Sequence, residues 1–360
     1  MRLLLITFVL DETHPTLAWQ VHVVRELAKK VENLFVLTSR VGEVGMLPPN
    51  VEIIVPPVRP LGIPHRLGGR WAFNFDMYRY CKENSIDSVF VHMAMEWAYI
   101  LYPSFNLLKL PVVMWYAHGS VTRRLRVAIK CVDRVVTSTP EGCRVDDEKI
   151  RVIGQAINSA HFNVKNRQLQ SNILYVGRIS ERKRVTLLYQ VYKELHRNED
   201  EINNLSFDIA GSPLNEQDLS YDSSLRATIW RDGAENSFRM LGLIPYKRIP
   251  DLYETAFLHI NVSETGSMDK TVMEALASGC PVLTSNAAFF ELLKDYPEFL
   301  IDDDRPEAIA EKVQDIYQRR KQYEPGKLRS LVLQGHDLNT YADRVLSTFQ
   351  AFECAKQVKD

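Results

Sequence analysis

The sequence predicts an α/β fold of two doubly wound, Rossmann-like domains, and three observations carry that expectation. The chain has 360 residues, ample for two separate cores. Short, continuous apolar and β-branched runs recur along it with helical patterns between them, the mark of parallel sheets covered on both faces. That rhythm stops at Gly154–Gln170, a polar and weakly patterned stretch that reads as a hinge, and then restarts.

In the first half the expected strands are Leu3–Val9, Leu34–Thr38, Val51–Val55, Ser88–Val91, Val112–Tyr116, Arg134–Thr137 and Ile150–Ile153. Between the first two, Val21, Val24, Leu27, Ala28 and Val31 fall at helical spacing and face a core. In SVTRRLRVAIK (120–130) a helix puts Arg123, Arg126 and Lys130 near one side and spreads Leu125, Val127 and Ile129 around it. That is either a solvated face or a contact for anionic lipid headgroups or a phosphorylated acceptor. In the second half the expected strands are Ile173–Val176, Phe207–Ala210, Arg239–Leu241, Phe257–Val262, Pro281–Thr284 and Phe299–Ile301. Helical patterns at 184–197, 249–256, 269–278, 288–294 and 306–322 lie between them. The final stretch is helical through Tyr341, Val345, Phe349 and Phe352. The expected domains are therefore 1–155 and 170–337, facing each other across a cleft, with the C-terminal helix (338–360) packing back on the first. In such sheets ligands bind at the carboxyl ends of the strands.

Apolar content of 46%, charged content of 25% and a net charge of −1 describe an ordinary globular protein, with no global reason to bind nucleic acid. Cys81, Cys131, Cys143, Cys280 and Cys354 are scattered without CxxC spacing, so neither a zinc site nor a disulfide framework is expected, which fits a reducing cytoplasm. Leu3–Leu10 follows only Arg2 and runs into Asp11 and Glu12, so a buried strand is expected there and not a signal sequence. No run approaches the length of a membrane span.

Three segments at expected strand ends carry chemistry. In SETGSMDKTVMEALASGCPVLT (263–284), a small-residue loop through Gly266 and Ser267 leads into a helix bearing Glu274 among Ala275, Leu276 and Ala277. A carboxylate buried there needs donors, and the helix's first amides suit an anion. A diol-binding acid beside an anion-binding helix start suggests a sugar nucleotide; the alternative is a capped core helix with Glu274 partly exposed. In YVGRISERKR (175–184), Gly177 ends a strand and a loop lets Arg178 and Lys183 converge on one anion, unless the run is simply solvated with Arg182 and Arg184. FDIAGSP (207–213) ends in Gly211, where backbone can approach a ligand. Asp302, Asp303 and Asp304 contain an Asp-x-Asp pattern, but before Pro306 they read as acids at a helix start and not as a metal site.

Taken together and in order, these segments resemble the retaining glycosyltransferases of family 4, which have the GT-B fold. VGRISERK resembles the family's phosphate-binding segment, RMLGLIPYKRIPDLYETAFLHINVS (239–263) the stretch leading to its nucleotide pocket, and TGSMDKTVMEALASGCPV its Glu-x7-Glu motif. RVVTSTPEG (134–142) and IRVIGQAINSAHF (150–162) are similar to its last strands before the hinge. The resemblance implies an acceptor-side first domain and a nucleotide-sugar-binding second one. It implies Arg178 and Lys183 on the donor diphosphate as catalytic groups, with His118 of WYAHGS near the donor sugar. Gly177, Gly211, Gly266, Ser267, Met268, Asp269, Lys270 and Thr271 would line the donor, with Glu274 on the ribose diol and the backbone of Leu243 and Ile244 at the base. No metal or other cofactor is implied beyond a UDP- or GDP-linked sugar as donor substrate. The acceptor is a glycan, lipid or small molecule, reached in the cytoplasm or at the inner face of the membrane.

Two departures accompany the resemblance. Gly266 stands where the family has its first glutamate, which leaves Asp269 or Glu264 to cover contacts to the sugar, in a TGS-x-DK variant similar to one branch of the family. The family's Gly-Gly loop after the first strand is replaced by DETHPTLAWQ (11–20), with Ala18 and Trp19 near the glycine positions, where Trp19 would narrow the cleft or stack on a ligand. Rival expectations are a GT-B sugar-nucleotide epimerase and a non-catalytic nucleotide-sugar-binding protein.

Overall fold

The computed structural model describes residues 1–56, 67–165, 167, 168, 170–197, 204–263 and 267–357. The chain forms two compact units, 1–156 with 338–360, and 157–337.

The first unit runs β1 (Arg2–Leu10), α1 (Gln20–Ala28), β2 (Asn33–Val41), β3 (Val51–Ile54), α2 (Leu67–Glu83), β4 (Ser88–His92), α3 (Met95–Ile100), α4 (Tyr102–Leu107), β5 (Val112–Trp115), α5 (Arg123–Lys130), β6 (Arg134–Thr137) and β7 (Ile150–Val152). Its strands are all parallel in the order β3-β2-β1-β4-β5-β6-β7. In register, Leu3 pairs with Leu34 on one side and Ser88 on the other. Central strands such as β4 are buried along their whole length, which is why they read as continuous apolar runs. α1 buries Val21, Val24, Leu27 and Ala28, as its spacing predicts. α5, capped by Thr122, buries Leu125, Ala128 and Ile129 and leaves Arg123, Arg124, Arg126 and Lys130 in solvent.

Ala18 and Trp19, the residues expected near the cleft, close the segment between β1 and α1. Both are buried, and the Trp19 indole stands edge-on to the His92 ring at 5.2 Å. The cause is local: residues 11–19 fold in turns over the end of β1, with His14 N–H donating to Asp11 O and Gln20 N–H to Leu17 O. α2 is a helix that the sequence did not announce, because its apolar residues lie all around it and form no stripe.

The second unit runs β8 (Asn172–Val176), α6 (Val185–Leu195), β9 (Ser206–Ala210), α7 (Glu216–Arg231), β10 (Phe238–Gly242), α8 (Ile249–Thr255), β11 (Leu258–Asn261), α9 (Lys270–Ala277), β12 (Val282–Thr284), α10 (Pro306–Arg319) and α11 (Pro325–Leu333). These strands are parallel in the order β10-β9-β8-β11-β12. α12 (Leu338–Gln357) returns to the first unit, where Tyr341 packs on Trp115 at 5.2 Å and Asp343 pairs with Lys30 at 2.7 Å.

Three expectations change here. Phe299–Ile301 is not a strand: Pro297–Phe299 makes a single 3-10 turn and only Leu300 bridges to Thr284. Residues 288–294 form no α-helix. Asn286 caps a short 3-10 turn at Ala287–Phe289, and Pro297 follows too soon for a helix to establish itself. The expected hinge is the third. Its residues 157–165, 167, 168 and 170 belong to the second unit: Ile157 bridges to Asp337, and the Arg167 guanidinium donates to the carbonyls of Tyr253, Ala256 and Gly279. Arg329 does the same for Ser159, Phe162 and Ala277.

His259, central in β11, is 0% exposed and stands edge-on to Tyr253 at 5.7 Å. Burial pulls its pKa from 6.5 down to about 3. As pH falls through 6.5 the unfolded chain takes up a proton that the folded chain refuses, so stability declines toward acid and His259 contributes no slope above that range. Between pH 6.5 and about 3, wild-type stability in urea should therefore fall more steeply than that of His259→Phe, by up to about 1.4 kcal/mol per pH unit. Equal slopes in the two proteins would contradict the assignment.

Candidate functional site

The strand order of the second unit decides where a ligand can sit. From β8 the chain moves outward through β9 to β10, then crosses back to place β11 and β12 on the other side of β8. The connections leaving β8 and β11 diverge, and a crevice opens at their carboxyl ends. Three neighbouring strands end there in glycine: Gly177 N–H donates to Ala210 O at 3.0 Å and Gly211 N–H to Gly242 O at 2.8 Å. A Cβ on Gly211 would overlap the Gly177 carbonyl oxygen, and Gly242 has a φ of 72°. The strand ends thus close up as bare backbone. Leu243 and Ile244 follow at the end of β10, Leu243 exposed and Ile244 half-buried.

Arg178 and Lys183 are on the loop after β8, the central strand, and each is held from a different side. Arg178 Nε lies 3.5 Å from Asp218 Oδ2 in the first turn of α7, after β9. Lys183 Nζ donates to Asp269 Oδ1 at 2.8 Å and to Ser263 Oγ at 3.2 Å, at the start of α9, after β11. Asn261 Nδ2 donates to the other oxygen of Asp269 at 3.0 Å. The run ERKR is therefore divided. Glu181 and Arg182 are exposed, Lys183 turns inward, and Arg184, in the left-handed region at φ 53°, pairs with Asp304 at 2.7 Å.

α9 starts at this cluster. Asn286 Nδ2 holds the Ser267 carbonyl at 2.8 Å and the Tyr253 hydroxyl donates to Thr271 O at 2.9 Å, which fixes the first turn. Asp269 is the N-cap residue, yet its carboxylate does not cap the helix. Met268 is buried, and one turn further in Glu274 is 5% exposed. The Tyr246 hydroxyl donates to Glu274, and the Lys270 charge acts on it from the preceding turn. Burial pushes the Glu274 carboxyl up, against the pull of Lys270 and Tyr246, and burial pushes the Lys270 ammonium down. Tyr246 in turn stacks on His161 at 5.1 Å. A carboxylate in this position retains acceptor capacity beyond one tyrosine hydroxyl.

Glu264 and Gly266 lie outside the described residues. Asp269, expected beside Glu264 as a substitute sugar contact, places its oxygens on Lys183 and Asn261. His118 is in the first unit, exposed on the loop after β5, with its ring edge-on to Tyr116 at 5.7 Å. Asp302, Asp303 and Asp304 each pair with a different cation, Lys312, Arg305 and Arg184. Among the described residues no group of three His, Cys, Asp or Glu side chains is gathered to hold a metal, and no helix is long and apolar enough to cross a membrane. Sequence reading missed Asp218, Asn261, Ser263 and Tyr246. Asp218 had a signal: Asn215 three residues before it caps α7 by accepting from the Asp218 amide at 2.8 Å.

The family model described as "Glycosyl transferases group 1" matches residues 158–326, all within the second unit. Mannosylfructose-phosphate synthase of Agrobacterium fabrum (strain C58) is 27% identical over 122 residues, which are 34% of this chain and 27% of that protein's length. HepE of Anabaena in complex with UDP superposes with a TM-score of 0.74 at 15% identity, covering 98% of this chain and 100% of that one. Sucrose-phosphate synthase from Thermosynechococcus elongatus does so with a TM-score of 0.73 at 14% identity, covering 98% and 99%. At these identities the likeness to the solved structures is one of fold, and the chain has the GT-B fold. Residues 158–326 relate it to the group 1 glycosyl transferases.

The closure of the strand ends is directly testable. Gly211→Ala should cost about 1–3 kcal/mol in a urea titration, because its methyl must displace the Gly177 carbonyl. Gly326→Ala in α11, where a methyl meets nothing within 4 Å, should be neutral or stabilising by up to about 1 kcal/mol. Equal stability of the two variants would show that the strand ends yield freely.

Proposed function

We propose that this chain is a retaining glycosyltransferase that moves a sugar from a nucleoside-diphosphate donor to an acceptor hydroxyl without a metal step. The observation that carries it is the meeting of Arg178, Lys183, the start of α9 and Glu274 around the carboxyl ends of β8 and β11. Arg178 and Lys183 take the diphosphate, and the first amides of α9, near Asp269, Lys270 and Thr271, face it. Glu274 accepts from the ribose diol, and the backbone of Leu243 and Ile244 reads the base. His118, in the first unit, is assigned to the donor sugar by the resemblance alone. UDP in the Anabaena relative supports UDP as the first nucleotide to test, with GDP beside it.

In this reaction the bond from the sugar's anomeric carbon to the phosphate oxygen breaks and one to the acceptor oxygen forms on the same face. The acceptor's proton passes to the departing phosphate. The side chains position the donor and offset charge on the leaving group, which is electrostatic catalysis. The acceptor is a glycan, lipid or small molecule. The outward cations of α5 complement an anionic acceptor, or a headgroup at the inner face of a membrane. Gly266, in place of the family's first glutamate, favours one second reading, a protein that binds the nucleotide sugar without turning it over.

Arg178→Ala and Lys183→Ala should each lower donor hydrolysis or transfer by about 10²–10³-fold. Glu274→Ala should weaken nucleotide binding in calorimetry. Full activity in either cation variant would overturn the phosphate assignment, and unchanged binding in Glu274→Ala the ribose role. Donor binding with neither hydrolysis nor transfer would favour the non-catalytic reading.

A further inference from the structure

We propose that Asp269 is a positioning residue for Lys183, one that orients the ammonium and competes for it with the donor diphosphate. This rests on the nucleotide-sugar reading of the second unit and adds a role that the resemblance did not supply.

Lysine carries its charge on a flexible four-carbon stem, so a useful lysine needs something to hold it. Lys183 sits on a single 3-10 turn, Glu181–Lys183, whose other two side chains are exposed. Its ammonium is fixed by Asp269 at 2.8 Å and Ser263 at 3.2 Å. Asp269 is itself fixed by Asn261 at 3.0 Å, and Asn261 accepts from the Thr284 hydroxyl at 3.2 Å. The lysine is thereby tied to the ends of both β11 and β12. An aspartate at a helix N-cap ordinarily turns its oxygens to the helix's own amides. Asp269 does not, so its carboxylate serves the lysine and not α9.

Two opposed consequences follow. The carboxylate gives Lys183 a direction, which is worth most when charge builds on the departing phosphate. It also occupies the ammonium beforehand and puts a negative charge beside an incoming anion, which weakens binding of the resting diphosphate. Removing that charge should therefore move binding and turnover in opposite directions. A contact from Asp269 to the donor sugar would behave differently, leaving affinity for a sugar-free nucleotide unchanged.

The test is calorimetric titration of the full chain with UDP and GDP, together with donor hydrolysis under saturating donor, for wild type, Asp269→Asn and Asp269→Glu. Asp269→Asn should bind the nucleoside diphosphate about five-fold or more tightly than wild type and turn over about ten-fold or more slowly. Asp269→Glu, which keeps the charge, should bind within about two-fold of wild type and recover part of the rate. A merely structural lesion weakens both properties, so weaker or unchanged nucleotide binding in Asp269→Asn, with wild type binding normally, would overturn the role of Asp269 alone. Unchanged turnover would also overturn it. A wild type that bound neither UDP nor GDP would instead overturn the nucleotide-sugar reading beneath it.

Discussion

The reversal of strand order between β8 and β11 is the constraint from which the rest of the second unit's site follows. It puts the loop after the central strand next to the starts of two helices, α7 after β9 and α9 after β11. Each helix offers an acid there, Asp218 to Arg178 and Asp269 to Lys183. The bare ends of β8, β9 and β10 close beside them, joined backbone to backbone through Gly177, Gly211 and Gly242. No single motif makes this arrangement. It needs the topology to bring together side chains that are 40 and 86 residues apart in the chain, the first being the step from Arg178 to Asp218 and the second that from Lys183 to Asp269.

The charges of the site are mostly committed in pairs, and that sets what each can do. A charge withdrawn from water needs a partner, so Glu274 has Tyr246 and Lys270, and Lys183 has Asp269. An incoming diphosphate or diol would join groups already engaged and share their hydrogen-bonding capacity. Such prior engagement costs some affinity for the ground state but leaves less to reorganise when the leaving group takes up charge.

Much of the fold was legible because parallel strands buried on both faces write continuous apolar runs, as Leu3–Val9 and Ile173–Val176 do. α7 was not legible. Two of its buried positions are Asp218 and Asp222, so the helical stripe is broken by acids, and one of those acids is the partner of Arg178. The stretch after Ala156 looked like a slack hinge because Arg167 and Arg329 fasten it through backbone carbonyls, and such contacts leave no pattern in a sequence. The motif around Glu274 was readable as a buried acid behind a small-residue loop. That Asp269 faces Lys183 and not its own helix depends on the end of β11, and only three dimensions show it.

The donor site is tested most directly by a crystal structure of the full chain grown with a nucleoside diphosphate, UDP or GDP. The two phosphates should lie within hydrogen-bonding reach of Arg178, Lys183 and the first amides of α9, with the ribose hydroxyls on Glu274. A nucleotide bound elsewhere, or one whose phosphates leave both cations on Asp218 and Asp269 alone, would contradict that assignment.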